Sequence, residues 1–302
     1  MGVDKIRGGL CCALAMMLVG SSFPASSLLL HYPYAGGQAI RYALGALILL
    51  PLAFRRGAPP PHRVTAREWG LLALLAATGL VGFNLAILFA LRTAEPAVPG
   101  VIVGCVPVVL ATVVPLAARK RPSGRILVAA GLVVAGAAIV QGFGRSDPAG
   151  LAFSLLALAG EAAFSLLAIP LLGRLGALGV SGYTTALATV QALVLALVLD
   201  GPAALRWPTP VEALALLWIA LLVTVVAFIS WYTGLQRVGA EHAGLFAGIL
   251  PLTAALVAPL VGAGTLGLSQ LVGGLAVAGG LAFGLVSGRR SGQPAVEPPV
   301  PV

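Results

Sequence analysis

Charged residues are scarce in this sequence of 302 residues. Only 9% are Asp, Glu, Lys or Arg and 59% are hydrophobic, whereas a soluble domain averages about 25% charged residues. So few charges cannot cover a water-exposed surface of this size, and lipid must surround much of the chain. The net charge of +9 does not indicate nucleic-acid binding, because the basic residues lie in short segments between apolar runs.

Cysteine and histidine are equally rare, with three of each. The cysteines lie within apolar runs, with no CxxC pair and no neighbouring histidine, so we interpret them as small packing residues. They are Cys11, Cys12 and Cys105. The absence of a GxxxxGK(S/T) phosphate-binding loop argues against ATP hydrolysis. We therefore predict no catalytic residues, no metal site and no cofactor.

Long apolar runs are abundant. They reach about 20 residues, which a helix needs to cross a hydrocarbon core of ~30 Å, whereas outer-membrane β-strands alternate apolar and polar residues over only about 10. The first run follows Lys5 and Arg7 without an evident Ala-x-Ala cleavage site, so we expect an uncleaved helix rather than a signal peptide. We predict ten transmembrane helices, at residues 8–28, 34–54, 68–91, 96–117, 125–143, 149–171, 180–199, 212–235, 241–262 and 267–287.

The basic residues between these runs predict the orientation. If the N-terminus is cytoplasmic, fourteen of the eighteen Lys and Arg residues fall in cytoplasmic segments. Only Arg92, Arg145 and Arg206 fall outside, and Arg41 lies within the second run. This bias follows the positive-inside rule. It predicts a multi-pass protein of the inner (cytoplasmic) membrane with both termini cytoplasmic, and residues 288–302 form a predicted disordered cytoplasmic tail.

An internal repeat appears when the chain is shifted by 144 residues. The segment GVIVGCVPVVLATVVPL (100–116) aligns with GLFAGILPLTAALVAPL (244–260). We expect two five-helix units, residues 8–143 and 149–287. Because five is odd, the second unit enters the membrane upside down, and inverted repeats recur in secondary transporters. The predicted fold class is an all-α membrane protein of ten helices in two inverted five-helix repeats.

The fourth and ninth runs carry the same glycines and prolines. GxxxG permits close approach between helices, and a proline frees a carbonyl one turn earlier. In lipid such a carbonyl needs a partner, so these helices favour a protein interior or a wet cavity. Packing explains the glycines well, whereas the prolines favour a hinge or a cavity wall. The residues are Gly100, Gly104 and Pro107, and their equivalents Gly244, Gly248 and Pro251.

With these features the chain resembles the drug/metabolite transporter superfamily, specifically EamA-type transporters with two tandem EamA domains. The supporting stretches are GSSFPASS (20–27), RYALGALILL (41–50) and the paired fourth–fifth and ninth–tenth runs. The resemblance implies a central cavity and transport of metabolites or toxic compounds without ATP. The loops at 118–124 and 262–270 lack the Gly-Glu pair common in the family, and the tryptophan common near GSSF is missing.

Ionisable residues inside the membrane are costly and become functional candidates. Glu161, in the sixth run, could couple transport to protons or neutralise a cationic substrate, or a nearby arginine or hydroxyl could satisfy it. Arg41 could hold an anionic substrate group, pair with Glu161 or extend to the surface, and the resemblance favours a structural role.

Other polar residues in the runs are weaker candidates. Interhelical hydrogen bonding explains them as well as substrate contact does. Trp231 and Tyr232 fit either an interfacial aromatic belt or a cavity wall. The polar candidates are Asn84, Gln191, Ser21, Ser22, Thr185, Thr224 and Ser230.

The predicted function is a secondary transporter of a small organic metabolite, amino acid-like or drug-like, that works by alternating access. The resemblance favours export. A passive channel or facilitator is the alternative, and a lipid-modifying membrane enzyme would need a residue cluster that the sequence lacks. The expected partners are the small-molecule substrate, the lipid bilayer and protons as a candidate coupling ion, without nucleic acid. A homodimer is one alternative for the oligomeric state, because glycines of the fifth and tenth runs could pack within or between protomers.

Overall fold

The computed structural model describes residues 3–29, 31–142, 144–199, 201–261 and 267–286. Ten helices in this part of the chain are long and apolar enough to cross a membrane, which confirms the predicted all-α fold. The predicted tail, residues 288–302, lies outside the described residues. The helices are α1 Val3–Ser27, α2 Tyr34–Arg55, α3 Ala66–Ala90, α4 Ala97–Ala117, α5 Gly124–Gln141, α6 Pro148–Leu166, α7 Ile169–Leu199, α8 Pro210–Val238, α9 Ala240–Leu260 and α10 Leu268–Val286.

The junction between α6 and α7 differs most from the predicted boundaries. α6 ends at Leu166 and α7 begins at Ile169, with only two residues between them, although we expected a connection over 172–179. α7 is interrupted at Gly176, whose φ of 69° breaks the helical backbone. Glycine adopts this left-handed conformation without a Cβ clash. The kink therefore separates a short leading segment from the part of α7 that crosses the membrane.

α2 and α7, the second helices of the two halves, pack side by side and run antiparallel. Gly45 lies against Thr185, and Gly182 lies against Leu49 and Leu50, so residue numbers rise along one helix as they fall along the other. The missing side chains let the two backbones approach closely. Because α2 has 22 residues, the ends of this pair are about 33 Å apart.

An arginine clamps each end of the α2–α7 pair. Arg174, near the start of α7, donates hydrogen bonds to both carboxylate oxygens of Glu68 and to the Arg63 carbonyl at 3.0 Å. We call the side of the protein that holds this clamp the basic face. At the opposite face Arg206 donates to both oxygens of Glu212, at 2.5 and 3.0 Å, and to the His31 carbonyl at 3.1 Å.

Both clamped carboxylates also cap a helix. Glu68 forms a capping box with Thr65 at the start of α3, and Glu212 forms the same box with Thr209 at the start of α8. A capping box satisfies backbone N–H groups that the first helical turn leaves free. The two boxes are 144 residues apart in sequence but lie at opposite ends of the α2–α7 pair, so the equivalent helices α3 and α8 enter from opposite faces. The two halves are therefore inverted.

The remaining helices form two matching groups and a second edge. α6 packs on α3 and α4, and its counterpart α1 packs on α8 and α9. At the far edge α5 packs against α10, where a Cβ on Gly136 would lie 2.7 Å from the Gly273 carbonyl oxygen. Gly136 and Gly273 are thus used within the chain, whereas an added Cβ at Gly131 or Gly279 of the same two helices would meet nothing within 4 Å.

α4 and α9 are both interrupted where the sequence predicts a hinge. In α4 a turn at Gly104 and Cys105 stands directly before Val106 and Pro107. In α9 a 3₁₀ turn over Phe246–Gly248 precedes Pro251. Proline has no N–H and its ring clashes with the carbonyl four residues earlier. The regular α-helical hydrogen bonding of both helices is therefore interrupted about one turn before the proline.

The glycines around these interruptions lie at helix contacts. Gly100 lies against the Gln141 side chain of α5, and Gly244 lies against Leu110 of α4. Gly248 packs on Val133 and Val277 of α5 and α10. Close packing therefore accounts for these glycines.

The clamps lead to a first prediction. Each arginine holds a capping carboxylate and a carbonyl of another loop, so Arg174→Gln and Arg206→Gln should each lower the melting temperature of the purified protein. Arg145→Gln is the matched control, because its pair with Glu95 at 3.5 Å leaves the arginine side chain 97% exposed and such pairs contribute little to stability. Equal melting temperatures for all three variants would contradict a structural role for the clamps.

The α5–α10 edge leads to a second prediction. A Cβ at Gly136 or Gly273 would press into the facing backbone at 2.6–2.7 Å, so either alanine variant should lose roughly 1–3 kcal/mol of stability, as overpacked sites do. Gly131→Ala and Gly279→Ala are the controls on the same two helices, since their added Cβ meets nothing within 4 Å. Unfolding in mixed micelles measures all four; a stable Gly136→Ala would show that this edge is loosely packed.

Candidate functional site

Arg41 of α2 lies in the interior between the two halves. Its Nε donates to Thr224 Oγ1 of α8 at 2.7 Å, and its Nη1 donates to Gln38 Oε1 at 3.3 Å. The guanidinium also lies over the Tyr42 ring, 5.3 Å from its centroid. An arginine held this way has its planar donors fixed in direction. We call these residues, Arg41, Gln38, Tyr42 and Thr224, the Arg41 cluster. Because Thr224 belongs to α8, the cluster joins the first half to the second.

Two tyrosines and Asn84 extend the cluster to α3. Asn84 Nδ2 donates to the Tyr42 hydroxyl at 3.0 Å and to the Leu80 carbonyl at 2.8 Å. The Tyr34 hydroxyl donates to the Asn84 carbonyl at 2.8 Å. The amide of Asn84, one of the polar candidates predicted from the sequence, is thus held by a hydrogen bond to α2. The cluster is a continuous polar network on three helices.

Wide turns in α3 and α8 position part of this network. Residues Ala76–Gly82 of α3 and Ile219–Val226 of α8 are π-helical and lie at equivalent places in the two repeats. π turns are rare and often occur at functional sites. In α8 the turn lets the Thr224 hydroxyl donate to the Ile219 carbonyl at 3.1 Å while it accepts from Arg41. Neither turn was predicted from the sequence.

Glu161 of α6 lies deeper than Arg41 when both are measured from the opposite face. Arg41 is seven residues into α2 and Glu161 thirteen residues into α6, so their depths are about 10 Å and 20 Å. The four ion pairs between described residues do not include Glu161. The Arg41–Glu161 pair that we considered is therefore absent from the described structure.

The surroundings of Glu161 are aromatic and polar. It lies close enough to the Tyr232 hydroxyl to interact with it electrostatically. One turn further along α6, the Ser165 hydroxyl accepts a hydrogen bond from Trp231 Nε1 at 3.2 Å. Trp231 is 3% exposed and Tyr232 is fully buried, so neither belongs to an interfacial aromatic belt. Both are packed in the protein interior, and a place in a cavity wall stays a prediction.

The other candidate residues lie apart from these two groups. Ser22 donates to the Val19 carbonyl of its own helix at 2.6 Å, and Thr185 donates to the Ser181 carbonyl at 2.8 Å. Gln191 of α7 donates from Nε2 to the Ala73 carbonyl of α3 at 3.1 Å. Serines and threonines that bond their own helix are satisfied without substrate. Ser21 likewise donates to a carbonyl of its own helix, at Leu18, and accepts from Trp218 Nε1 at 3.1 Å.

Three residues of α2 that belong to the site were not predicted from the sequence. These residues recur every four positions, as Tyr34, Gln38 and Tyr42. Tyr42 directly follows Arg41 in the sequence. Four-residue spacing places side chains on one face of a helix. A polar stripe with helical period inside an apolar run was therefore available as a signal.

A metal site needs several ligating side chains close together. No group of three or more His, Cys, Asp or Glu side chains in the described part of the chain lies close enough together to hold a metal ion. Among the described residues, the Arg41 cluster and the surroundings of Glu161 offer an arginine, a carboxylate, amides and hydroxyls. Such groups bind and orient an organic molecule by hydrogen bonds and charge.

Comparisons with known proteins agree with this architecture. The profile of the EamA-like transporter family matches residues 6–141 and 148–286. A Bacillus subtilis (strain 168) protein described as "Uncharacterized transporter YetK" is 26% identical over 259 residues, which are 82% of this chain and 78% of that protein. A crystal structure described only as that of a protein has the same fold, with a TM-score of 0.80 and 20% identity over 95% of this chain and 99% of that one. The chain is a membrane transporter that belongs to the EamA-like transporter family.

Proposed function

We propose that this protein is a secondary transporter that exports a small organic metabolite across the cytoplasmic membrane by alternating access. The observation that supports this most directly is the Arg41 cluster, a polar network that crosses from one inverted half to the other inside the membrane. Inverted halves can exchange conformations, so that one central site faces each compartment in turn. The basic face is then cytoplasmic, as are both termini.

The α2–α7 edge is the fixed part of this mechanism. Both clamps are formed in the same structure, which supports the proposal that they stay closed while the site changes sides. The opening movement then takes place between the group α1, α8, α9 and the group α3, α4, α6. The interrupted helices α4 and α9 and the π turns lie in these groups, where the backbone can change shape.

The charges of the interior favour an amphoteric or cationic substrate. Arg41 presents a guanidinium that suits a carboxylate, and Glu161 offers a carboxylate for an amine. Their depths differ by about 10 Å, so an elongated metabolite would reach both and a small amino acid would contact them in succession. The aromatic rings of Trp231 and Tyr232 would form an apolar wall for the substrate body.

Glu161 is the candidate proton-coupling residue, since it has no ion-pair partner among the described residues. Substrates would first be found by a thermal-shift screen of the purified protein, because a molecule that binds the folded state raises its melting temperature. In proteoliposomes, Glu161→Gln should abolish flux driven by a pH gradient and preserve exchange without a gradient.

Glu95→Gln is the matched control for that experiment, because Glu95 lies exposed at the opposite face in a pair with Arg145. It should leave gradient-driven flux unchanged. Undiminished gradient-driven flux in Glu161→Gln would remove the coupling role, although it would leave the transport proposal intact.

A passive channel or facilitator is the second candidate, and counterflow distinguishes a channel from a carrier. Vesicles preloaded with unlabelled substrate should transiently accumulate labelled substrate above equilibrium, and uptake should saturate with concentration. A carrier with one alternating site shows both effects. Linear, unsaturable uptake without accumulation would instead identify a channel and would falsify alternating access.

A further inference from the structure

Four positive charges lie within seven residues where α4 ends and α5 begins, at the basic face. Their side chains are exposed, and none of them belongs to the four ion pairs between described residues. We call this segment, residues 119–125, the cationic loop. Like charges this close repel one another, so a bound anion would stabilise the segment. The charged residues are Arg119, Lys120, Arg121 and Arg125.

Arg119 has a backbone conformation that glycine usually adopts. Its φ is 56°, and every other described residue with a positive φ is a glycine. It follows α4 in a Schellman motif, in which the Lys120 N–H donates to the Pro115 carbonyl at 2.7 Å and the Arg119 N–H donates to the Leu116 carbonyl at 2.9 Å. A Cβ makes this conformation costly. The glycines at the equivalent turns after α2, α5 and α8 are Gly57, Gly142 and Gly239.

Membrane orientation alone does not explain the arginine at this position. The positive-inside rule counts the basic residues of a loop and does not depend on which position each one takes. Lys120 and Arg121 already make the loop basic, so a glycine at 119 would remove the strain and keep the orientation signal. We therefore expect the charge of Arg119 to have a use of its own.

An apolar strip lies on the outer surface next to the cationic loop. On α5, Arg125, Val128 and Leu132 are spaced by three and four residues, which places them on one face of the helix. Val128 is 55% exposed and Leu132 is 43% exposed. On the adjacent α10, Phe283 is 40% exposed, and the Arg125 guanidinium lies over its ring, 4.8 Å from the centroid. The strip extends about 10 Å along α5 from Arg125 into the membrane.

We propose that this surface binds an anionic phospholipid of the leaflet at the basic face. The phosphate lies among the side chains of the cationic loop, and the acyl chains lie along Val128, Leu132 and Phe283. Charge supports the phosphate, since clustered basic residues beside a membrane helix attract anionic headgroups. The exposed apolar strip supports the acyl chains. A symmetric contact with a second copy of the chain would bring two cationic loops together, which their charge opposes.

The site is independent of the proposed transport function, because it lies on the outer surface at the α5–α10 edge. Native mass spectrometry of the purified full chain in detergent tests it. Dioleoylphosphatidylglycerol should bind more tightly than dioleoylphosphatidylcholine, which has the same acyl chains and no net charge. Each cation near an anionic headgroup strengthens binding roughly fivefold. The double variant Arg121→Gln/Arg125→Gln should therefore bind phosphatidylglycerol roughly twentyfold more weakly and bind phosphatidylcholine as before.

Arg55→Gln/Arg56→Gln is the matched control. It removes the same charge from exposed residues of the basic face, but at the end of α2, on the opposite edge of the protein. It should bind phosphatidylglycerol like the unmodified chain. Equal weakening by the two double variants would show a general attraction of charge without a site, and would overturn the proposal.

Arg119→Gly separates the charge from the stability of the fold. Because glycine adopts a positive φ without a Cβ clash, this variant should melt at a higher temperature in detergent without added lipid. It should nevertheless bind phosphatidylglycerol roughly fivefold more weakly. Glycerol 3-phosphate, which carries a phosphate without acyl chains, should not displace the lipid. Unchanged lipid binding by Arg119→Gly, or displacement by glycerol 3-phosphate, would contradict the proposed site.

Discussion

The contact between α2 and α7 holds the two halves together, and the rest of the structure depends on how its charges are placed. Bringing opposite charges out of water costs more than their attraction returns unless the geometry is very good. Both Arg–Glu pairs therefore lie at the helix ends, where water reaches the arginines: the Arg174 side chain is 44% exposed and that of Arg206 is 35% exposed. The middle of the contact includes small residues such as Gly45 and Gly182, where the two backbones approach closely.

Inside the membrane, the shortage of hydrogen-bonding partners decides where irregular backbone can occur. A freed carbonyl in lipid must find a donor within the protein. The π turn of α8 meets this requirement through Thr224, whose hydroxyl donates to the Ile219 carbonyl. At α3 the Ala73 carbonyl, just before the equivalent turn, receives the amide of Gln191. The polar residues that look functional in the sequence thus also stabilise the irregular helices. A substrate can then bind only to groups that still have an unused hydrogen-bond donor or acceptor.

The sequence predicts the fold well because burial in lipid leaves few alternatives. The sequence alone shows the ten apolar runs and the 144-residue repeat. It also shows the two Thr-x-x-Glu capping boxes, at 65–68 and 209–212. The site is harder, because a partner such as Thr224 for Arg41 depends on tertiary packing across 183 residues. Trp231 illustrates the limit. Its position near a helix end is compatible with the membrane interface and with the protein interior, and only its burial and its hydrogen bond to Ser165 place it in the interior. The α6–α7 junction was misplaced because a positive φ at Gly176 has no apolar signature.

The repeat also explains why the interior is asymmetric although the backbone is duplicated. The α2 segment GGQAIRYAL (36–44) aligns with GVSGYTTAL (179–187) of α7 at an offset of 143, so Gln38 and Arg41 correspond to Ser181 and Thr184. On α2 the pair forms the Arg41 cluster, whereas on α7 both hydroxyls are buried and bond to nothing among the described residues. One half therefore supplies a fixed cation and the other supplies small hydroxyls at the matching place. Two halves that move alike would present different chemistry to a bound molecule, and a single molecule could then sit in one defined orientation.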